Sequence, residues 1–318
     1  MVKIMDWLNA SISSKSVGDH IFTNSTIDSR KIVPAVVLGL CCFVGLPSNI
    51  AVIISIAREL NRNLSFTLKL MVNLAVSDAL TLSLAPFGMY GILFGWTLGI
   101  WSCRILFYLG YNSMYVSVFT VTAMSVHRYN NVIKSKITNR IILQRLEESR
   151  RWLKLTDLWI VAFAFALPVL FTRGIKGKNG LLRCQRAMET PHEEVTVLLL
   201  EIMLGFVIPL SVMLVCYLWL HKGLRQTAKS SKGYKKRLVI SIVVAFFIFW
   251  TPVHVINVLD IMTTITEMSN SYLYNQLKSF RRVSGDTSKT LALINCCLNH
   301  FLYANSSRNL MKCHNRKK

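Results

Sequence analysis

The chain of 318 residues is short of charge, and shortest of negative charge. Charged residues make up 16% of it, and only 15 are acidic against 37 lysines and arginines. A soluble domain carries about a quarter charged residues, so this composition argues against a soluble fold. The 8 cysteines include no C-x-x-C pair, and no His/Cys cluster stands at metal-ligand spacing, which argues against a zinc site or any other metal centre of that kind. No nucleophile–base arrangement suggests an enzyme. No repeat of the solenoid or inverted-transporter type is present. Residues 1–31 contain no apolar run, so no cleavable signal peptide is visible; a first span acting as its own targeting signal explains this.

What the chain has in quantity is apolar sequence, 53% of the total. It falls into seven runs near 32–57, 66–94, 101–133, 153–172, 194–220, 236–262 and 288–308. Runs of this length predict transmembrane helices. Pro47, Pro86, Pro168, Pro209 and Pro252 lie inside them, as neighbouring helices permit. The expected fold is all-α, a seven-helix membrane bundle over 32–308. A tail of 1–31 precedes it and a short tail of 309–318 follows.

The formal net charge is +22. A nucleic-acid binder is similarly basic, but here the cations lie between apolar runs, so a membrane surface is the expected partner and nucleic acid is not. With the N-terminus outside, 21 lysines and arginines fall on cytosolic stretches and 12 on outer ones. That excess predicts an outside N-terminus and a cytosolic C-terminus. Sequons at Asn9 and Asn24 agree with it, since glycans are added only on the lumenal side. Those at Asn63 and Asn305 would then be inert.

Several residues carry chemistry within the spans. Asp78 is a carboxylate in mid-span, where charge is costly and usually functional. Asn49, Ser117 and Asn295 sit on spans able to converge on it, making an oxygen-lined pocket for Na⁺ or a proton. A purely structural hydrogen-bonded carboxyl is the competing reading. Cys103 opens the third span and Cys184 lies in the second outer loop, where an oxidising compartment would pair them. Cys313 is juxtamembrane, a weak palmitoylation signal. Arg128, between His127 and Tyr129, ends the third span as either a helix-end bridge or a snorkelling cation. Trp250 stands just before the Pro252 kink, as a two-position wedge or as ordinary core. Asn299 and Tyr303 close the seventh span.

Taken in order, Asn49, Leu74-Ala75-x-x-Asp78, Cys103, Arg128-Tyr129, Trp250-x-Pro252 and Asn299-x-x-x-Tyr303 resemble the rhodopsin-like G-protein-coupled receptors across nearly the whole chain. Trp159, Pro209 and Tyr217 match as well. The third-span stretch from Ser113 to Val126, Pro168-Val-Leu-x-x-Arg173, Glu201-x-x-x-Gly205 and His254-Val-x-Asn257 look like the chemoattractant branch, and within it the leukotriene B4 receptors.

That resemblance implies a plasma-membrane receptor coupling to heterotrimeric G proteins, with an anionic lipid as ligand. Arg173 and Arg183 are the expected carboxylate contacts. Tyr115, His254 and Asn257 are expected to meet hydroxyls; Glu201, a carboxylate in a span beside an anion, is expected either to pair with an arginine or to accept from a hydroxyl. The basic outer loops (Arg173, Lys176, Lys178, Arg183, Arg186, Arg281 and Arg282) would steer an anion, or merely solvate. His127 stands where the family has Asp or Glu, His300 where it has Pro, and Phe107 where the subfamily has His. The first two imply an altered off/on balance, with a receptor that is leaky or couples poorly. The third removes a polar contact. A tail poor in serine and threonine implies weak arrestin recruitment. The alternatives are a peptide or chemokine receptor, a constitutive or decoy copy including a virus-captured one, and, from another class, a transporter. A tail of 1–31 with three Asp, no Glu and no Tyr disfavours chemokines. Leu293, where an opsin needs Lys, excludes a light receptor.

Overall fold

A computed structural model describes residues 29–58, 66–134, 141–178, 181–225, 233–267 and 269–315. Asn9 and Asn24 therefore lie outside the described residues. Among those residues the chain runs through seven helices and one two-stranded hairpin. A lipid environment offers the backbone no hydrogen bonds, so each apolar run must satisfy its own amides as a helix.

The first helix runs Ser29–Leu40, passes a π turn at Cys41–Gly45 and continues as Leu46–Ala57. The second is Phe66–Leu93, the third Gly99–Lys134 and the fourth Ile141–Thr172. The fifth runs Pro191–Ile202, a π turn Met203–Val207 and Ile208–Arg225. The sixth is Gly233–Thr266 and the seventh Ser271–Asn315. Both π turns precede a proline, Pro47 and Pro209, whose ring displaces the carbonyl four residues back; the wider turn accommodates it.

The third helix is central and packs on the second, fourth and fifth, while the sixth lies along the seventh. Leu70, Leu74, Val118, Val121, Met124, Phe246 and Trp250 interlock the second, third and sixth helices in one buried cluster. Large apolar side chains such as Phe43, Ile160 and Phe171 point outward, as a lipid-facing surface requires. Five helices are long and apolar enough alone to cross a bilayer among the described residues. The third and seventh are more polar for a physical reason. They bury Asn112, Ser113, Ser117, Thr120 and Ser125, and Ser288, Thr290 and Asn295, inside the bundle.

Most helices extend beyond the apolar runs read from the sequence, the fourth and seventh furthest. The fourth begins at Ile141, the sixth ends at Thr266 and the seventh starts at Ser271 rather than near 288. Hydropathy marks where a chain leaves the apolar slab, but helical hydrogen bonding continues into water. A tight turn joins the last two: Ser269 and Asn270 donate backbone N–H to Thr266 O, and Asn270 Oδ1 accepts from Leu273 N at 3.0 Å. The seventh helix continues unbroken past His300 to Asn315.

The hairpin is the one departure from all-helical structure among the described residues. β1 (Arg173–Lys178) pairs antiparallel with β2 (Leu181–Arg186), with Arg173 opposite Arg186 and Ile175 opposite Cys184. Cys103 and Cys184 form a disulfide, Cα–Cα 5.7 Å, that pins the hairpin to the start of the third helix. On its other side Trp96, buried in the turn between the second and third helices, donates its backbone N–H to Leu182 O at 2.7 Å. That turn needs Gly95 and Gly99, whose φ values of 87° and 84° are unfavourable for a residue with a Cβ.

Candidate ligand-binding site

The hairpin root sets two guanidiniums side by side and sends them to different fates. Arg173 is 4% exposed and turns toward the third helix. Its guanidinium lies 4.4 Å from the Phe107 ring centre and 5.4 Å from that of Tyr111, and Nη2 donates to the Tyr111 hydroxyl at 3.1 Å. Its Nε has no hydrogen-bond partner, and among the described residues no carboxylate pairs with it. Burial pulls this guanidinium below the ordinary arginine value, with Arg186 adding to the effect against an opposing contribution from Tyr111. Phe107 thus does more than remove a polar group: its ring face holds the buried cation.

Arg186 takes the opposite course. Burial alone would lower it, but Glu201, Tyr111 and Asp260 outweigh that and hold it above the ordinary arginine value. It pairs with Glu201 of the fifth helix and, at 3.5 Å, with Asp260 of the sixth. Asp260 also pairs with Arg281 of the seventh helix, and Asn257 Nδ2 donates to Glu201 Oε2 at 3.2 Å. Arg183 is held by Asp286 of the seventh helix at 3.2 Å, with both side chains partly exposed.

Beneath this layer is a cavity of about 20 Å³, room for about one water. Its walls are Tyr111, Met114, Tyr115 and Val118 of the third helix, Glu201 and Gly205 of the fifth, and Trp250, Val253, His254 and Asn257 of the sixth. The His254 ring lies between Phe206 (4.7 Å) and Trp250 (6.0 Å). Neither of its nitrogens, nor Trp250 Nε1, has a hydrogen-bond partner. Apolar walls with a few convergent polar atoms are the ordinary make-up of a small-molecule site.

Tyr115, Glu201, His254 and Asn257, picked out from sequence, therefore line one cavity. Arg173 abuts it through Tyr111, while Arg183 stays at the rim. Arg186 in its paired role, Asp260 and Arg281 were not singled out as site residues. The spacing of Asp260, three residues from Asn257 on one helix face, was the available signal.

Deeper in the bundle, Asp78 is fully buried and accepts from Ser117 Oγ at 2.7 Å. Ser117 and Ser77 share a hydrogen bond of 2.9 Å. Asn49 directs its amide to Gly45 O (2.9 Å) and Cys296 O (3.0 Å), bridging the first and seventh helices, and Asn295 is buried nearby on the seventh. Trp250, in the cavity wall, stacks on Phe246 at 5.7 Å. His127 meets Phe66 edge to face at 4.9 Å. Arg128, Tyr129 and Tyr217 lie on the third and fifth helices toward the opposite end from the hairpin, and Pro252 is inside the sixth. The side chains of Asn299 and Tyr303 lie outside the described residues.

A seven-helix bundle with a disulfide-pinned hairpin over a cavity is the architecture of this chain, and comparison with known proteins gives its family. Residues 48–303 match the 7 transmembrane receptor (rhodopsin family) pattern, and the chain belongs to that family. It is 31% identical to leukotriene B4 receptor 1 of Rattus norvegicus over 286 residues, 89% of this chain and 79% of that receptor. It is 31% identical to G-protein coupled receptor E1 of Equine herpesvirus 2 (strain 86/87) over 288 residues, 89% and 72% of the two chains. It is 25% identical to C-C chemokine receptor type 7 of Homo sapiens over 303 residues, 90% and 79%. The chain is a multi-pass plasma-membrane receptor of a family that couples a small ligand or peptide to G proteins, and it is not an enzyme.

Proposed function

We propose that the receptor responds to an anionic lipid mediator of the leukotriene B4 type and signals through heterotrimeric G proteins. The observation that carries this reading is Arg173, a buried guanidinium with an unfilled Nε and no carboxylate paired with it among the described residues. A ligand carboxylate supplies what this cation lacks. Tyr115, His254 and Asn257 then meet hydroxyls along the chain, and Arg183 steers from the rim. A lipid is larger than the present cavity, so entry expands it between the third, fifth and sixth helices. The relation to leukotriene B4 receptor 1 supports the same chemistry.

In this reading the hairpin end is extracellular, as a disulfide there suits. Asn9 and Asn24 carry glycans, and the G protein engages beneath Arg128. Asp78, which accepts from Ser117, takes a sodium ion in the off state: a buried carboxylate and a hydroxyl are suitable oxygen donors. His127 and His300, in place of an acid and a proline, alter the off/on balance of the receptor toward basal signal or poor coupling. The test is saturable binding of radiolabelled leukotriene B4 to receptor membranes, competed by the acid and less by its methyl ester. Absence of saturable binding by surface-expressed receptor, with a chemokine binding instead, overturns the reading in favour of a peptide ligand.

A further inference from the structure

At the hairpin end one guanidinium is fully engaged, and the manner of its engagement defines a site. Arg186 closes β2 and reaches into the bundle. One terminal nitrogen pairs with Glu201 of the fifth helix, while the other lies 3.5 Å from Asp260 Oδ2 of the sixth. Asn257, on the same face of the sixth helix as Asp260, fixes Glu201 from the side at 3.2 Å. The side chains of Arg186, Glu201 and Asp260 are 11%, 10% and 3% exposed. Two buried carboxylates on separate helices, each facing one end of a planar five-donor cation, match the way guanidiniums are recognised.

The carboxylates and their occupant have different structural origins. Glu201 and Asp260 are fixed in the helix bundle. Arg186 belongs to a hairpin tied to the bundle by a disulfide, by Trp96, by the Arg183–Asp286 pair and by the hydrogen bonds of Arg173 with Tyr111 and Arg104. A second observation points to a ligand at the same place. His254, 6% exposed, lines the cavity with Glu201 and Asn257, and neither of its ring nitrogens has a partner.

We propose that Glu201, Asp260 and Asn257 form a guanidinium-binding subsite at the hairpin end of the bundle, filled in cis by Arg186. The loop residue acts as a built-in ligand. It ties the hairpin to the fifth and sixth helices and, through Asp260 and Arg281, to the seventh. The subsite is separate from the Arg173 position, shares Glu201 and Asn257 with the cavity wall, and is tested without any lipid.

The experiment measures thermal unfolding of the purified full-length receptor in detergent, using a thiol-reactive dye that reports exposure of the buried Cys41, Cys216, Cys296 and Cys297. Arg186→Ala leaves two buried carboxylates without their shared cation and should unfold at lower temperature. Millimolar propylguanidinium should raise that temperature in a concentration-dependent way. Wild type, whose subsite is filled, should not respond, and neither should Arg186→Leu/Glu201→Gln/Asp260→Asn. An N-acetylated arginine amide forms a second arm. Rescue by both probes extends the subsite to the arginine side chain of a peptide, and rescue by propylguanidinium alone restricts it to small cations. No rescue of Arg186→Ala, an equal rise in wild type or in the triple variant, or equal rescue by butylammonium overturns the proposal. Where Arg186→Ala does not fold alone, surface receptor recovered from cells grown with and without propylguanidinium is read instead, with the same outcomes.

Discussion

Truncating Arg173 and Arg183 in parallel separates a ligand contact from a rim charge. Arg173 is 4% exposed, its Nε has no partner, and among the described residues it has no carboxylate. A ligand carboxylate meeting it makes two charge-assisted hydrogen bonds in a largely dry setting. Removing them should cost about 3 kcal/mol, or roughly 150-fold in potency. Arg173→Lys keeps the charge but loses the planar stack on Phe107 and Tyr111 (4.4 and 5.4 Å), and should cost roughly 10-fold. Arg183 is already paired with Asp286 at a partly exposed position, so Arg183→Ala should change potency less than about fivefold. The assay is a G-protein reporter with leukotriene B4 and its methyl ester, at matched surface density. In wild type the acid should exceed the ester; in Arg173→Ala the two should be equal, because the variant and the ester remove the same contact. An unchanged acid-to-ester ratio in Arg173→Ala, or a matching loss in Arg183→Ala, refutes the assignment.

Other consequences follow from packing and topology. Gly45→Ala sets a Cβ 2.6 Å from Cys297 Sγ and 2.7 Å from Leu82 Cδ1, and should destabilise the receptor by about 1–3 kcal/mol, seen as a lower unfolding temperature. At Gly205 a Cβ would make ordinary contact with Tyr115 (3.5 Å) and His254 (3.6 Å). Gly205→Ala should therefore reach the surface and bind, whereas Gly205→Ile should reach the surface and lose lipid binding by filling the cavity. Cys103→Ser or Cys184→Ser frees the hairpin; a bridge of this span is worth about 2–5 kcal/mol, so surface receptor and ligand response should both fall sharply. His127→Asp restores an acidic neighbour beside Arg128 and should lower basal reporter signal at equal expression; no change separates that position from the off/on balance.

Much of the bundle can be read along the chain because the bilayer imposes one rule on every span. Seven apolar runs became seven helices, and Cys103 and Cys184 met across the hairpin end. Asp78 found Ser117 because both occupy inward faces of neighbouring helices. The charged layer near the cavity was less legible. Arg173 and Arg186 look alike in sequence, and only the hairpin register sets them opposite each other and sends one to an aromatic cradle and the other to two acids. The hairpin itself was signalled by Asn179-Gly180, a favoured two-residue turn dipeptide whose own placement lies outside the described residues. Asp260 and Arg281 fell at the edge of a span and in a loop, because hydropathy ends each helix where water begins. Phe107 read as the loss of a polar contact, since a cation–π partner cannot be inferred without knowing which cation lies over the ring.

The claim that this receptor is switched by an anionic lipid is tested most directly by a G-protein reporter in cells displaying the protein, read first without ligand and then across a leukotriene B4 dose series. The account predicts a measurable basal signal and a saturable rise that Arg173→Ala removes. A surface-expressed receptor that ignores the lipid at every dose, yet responds to a chemokine, would contradict it.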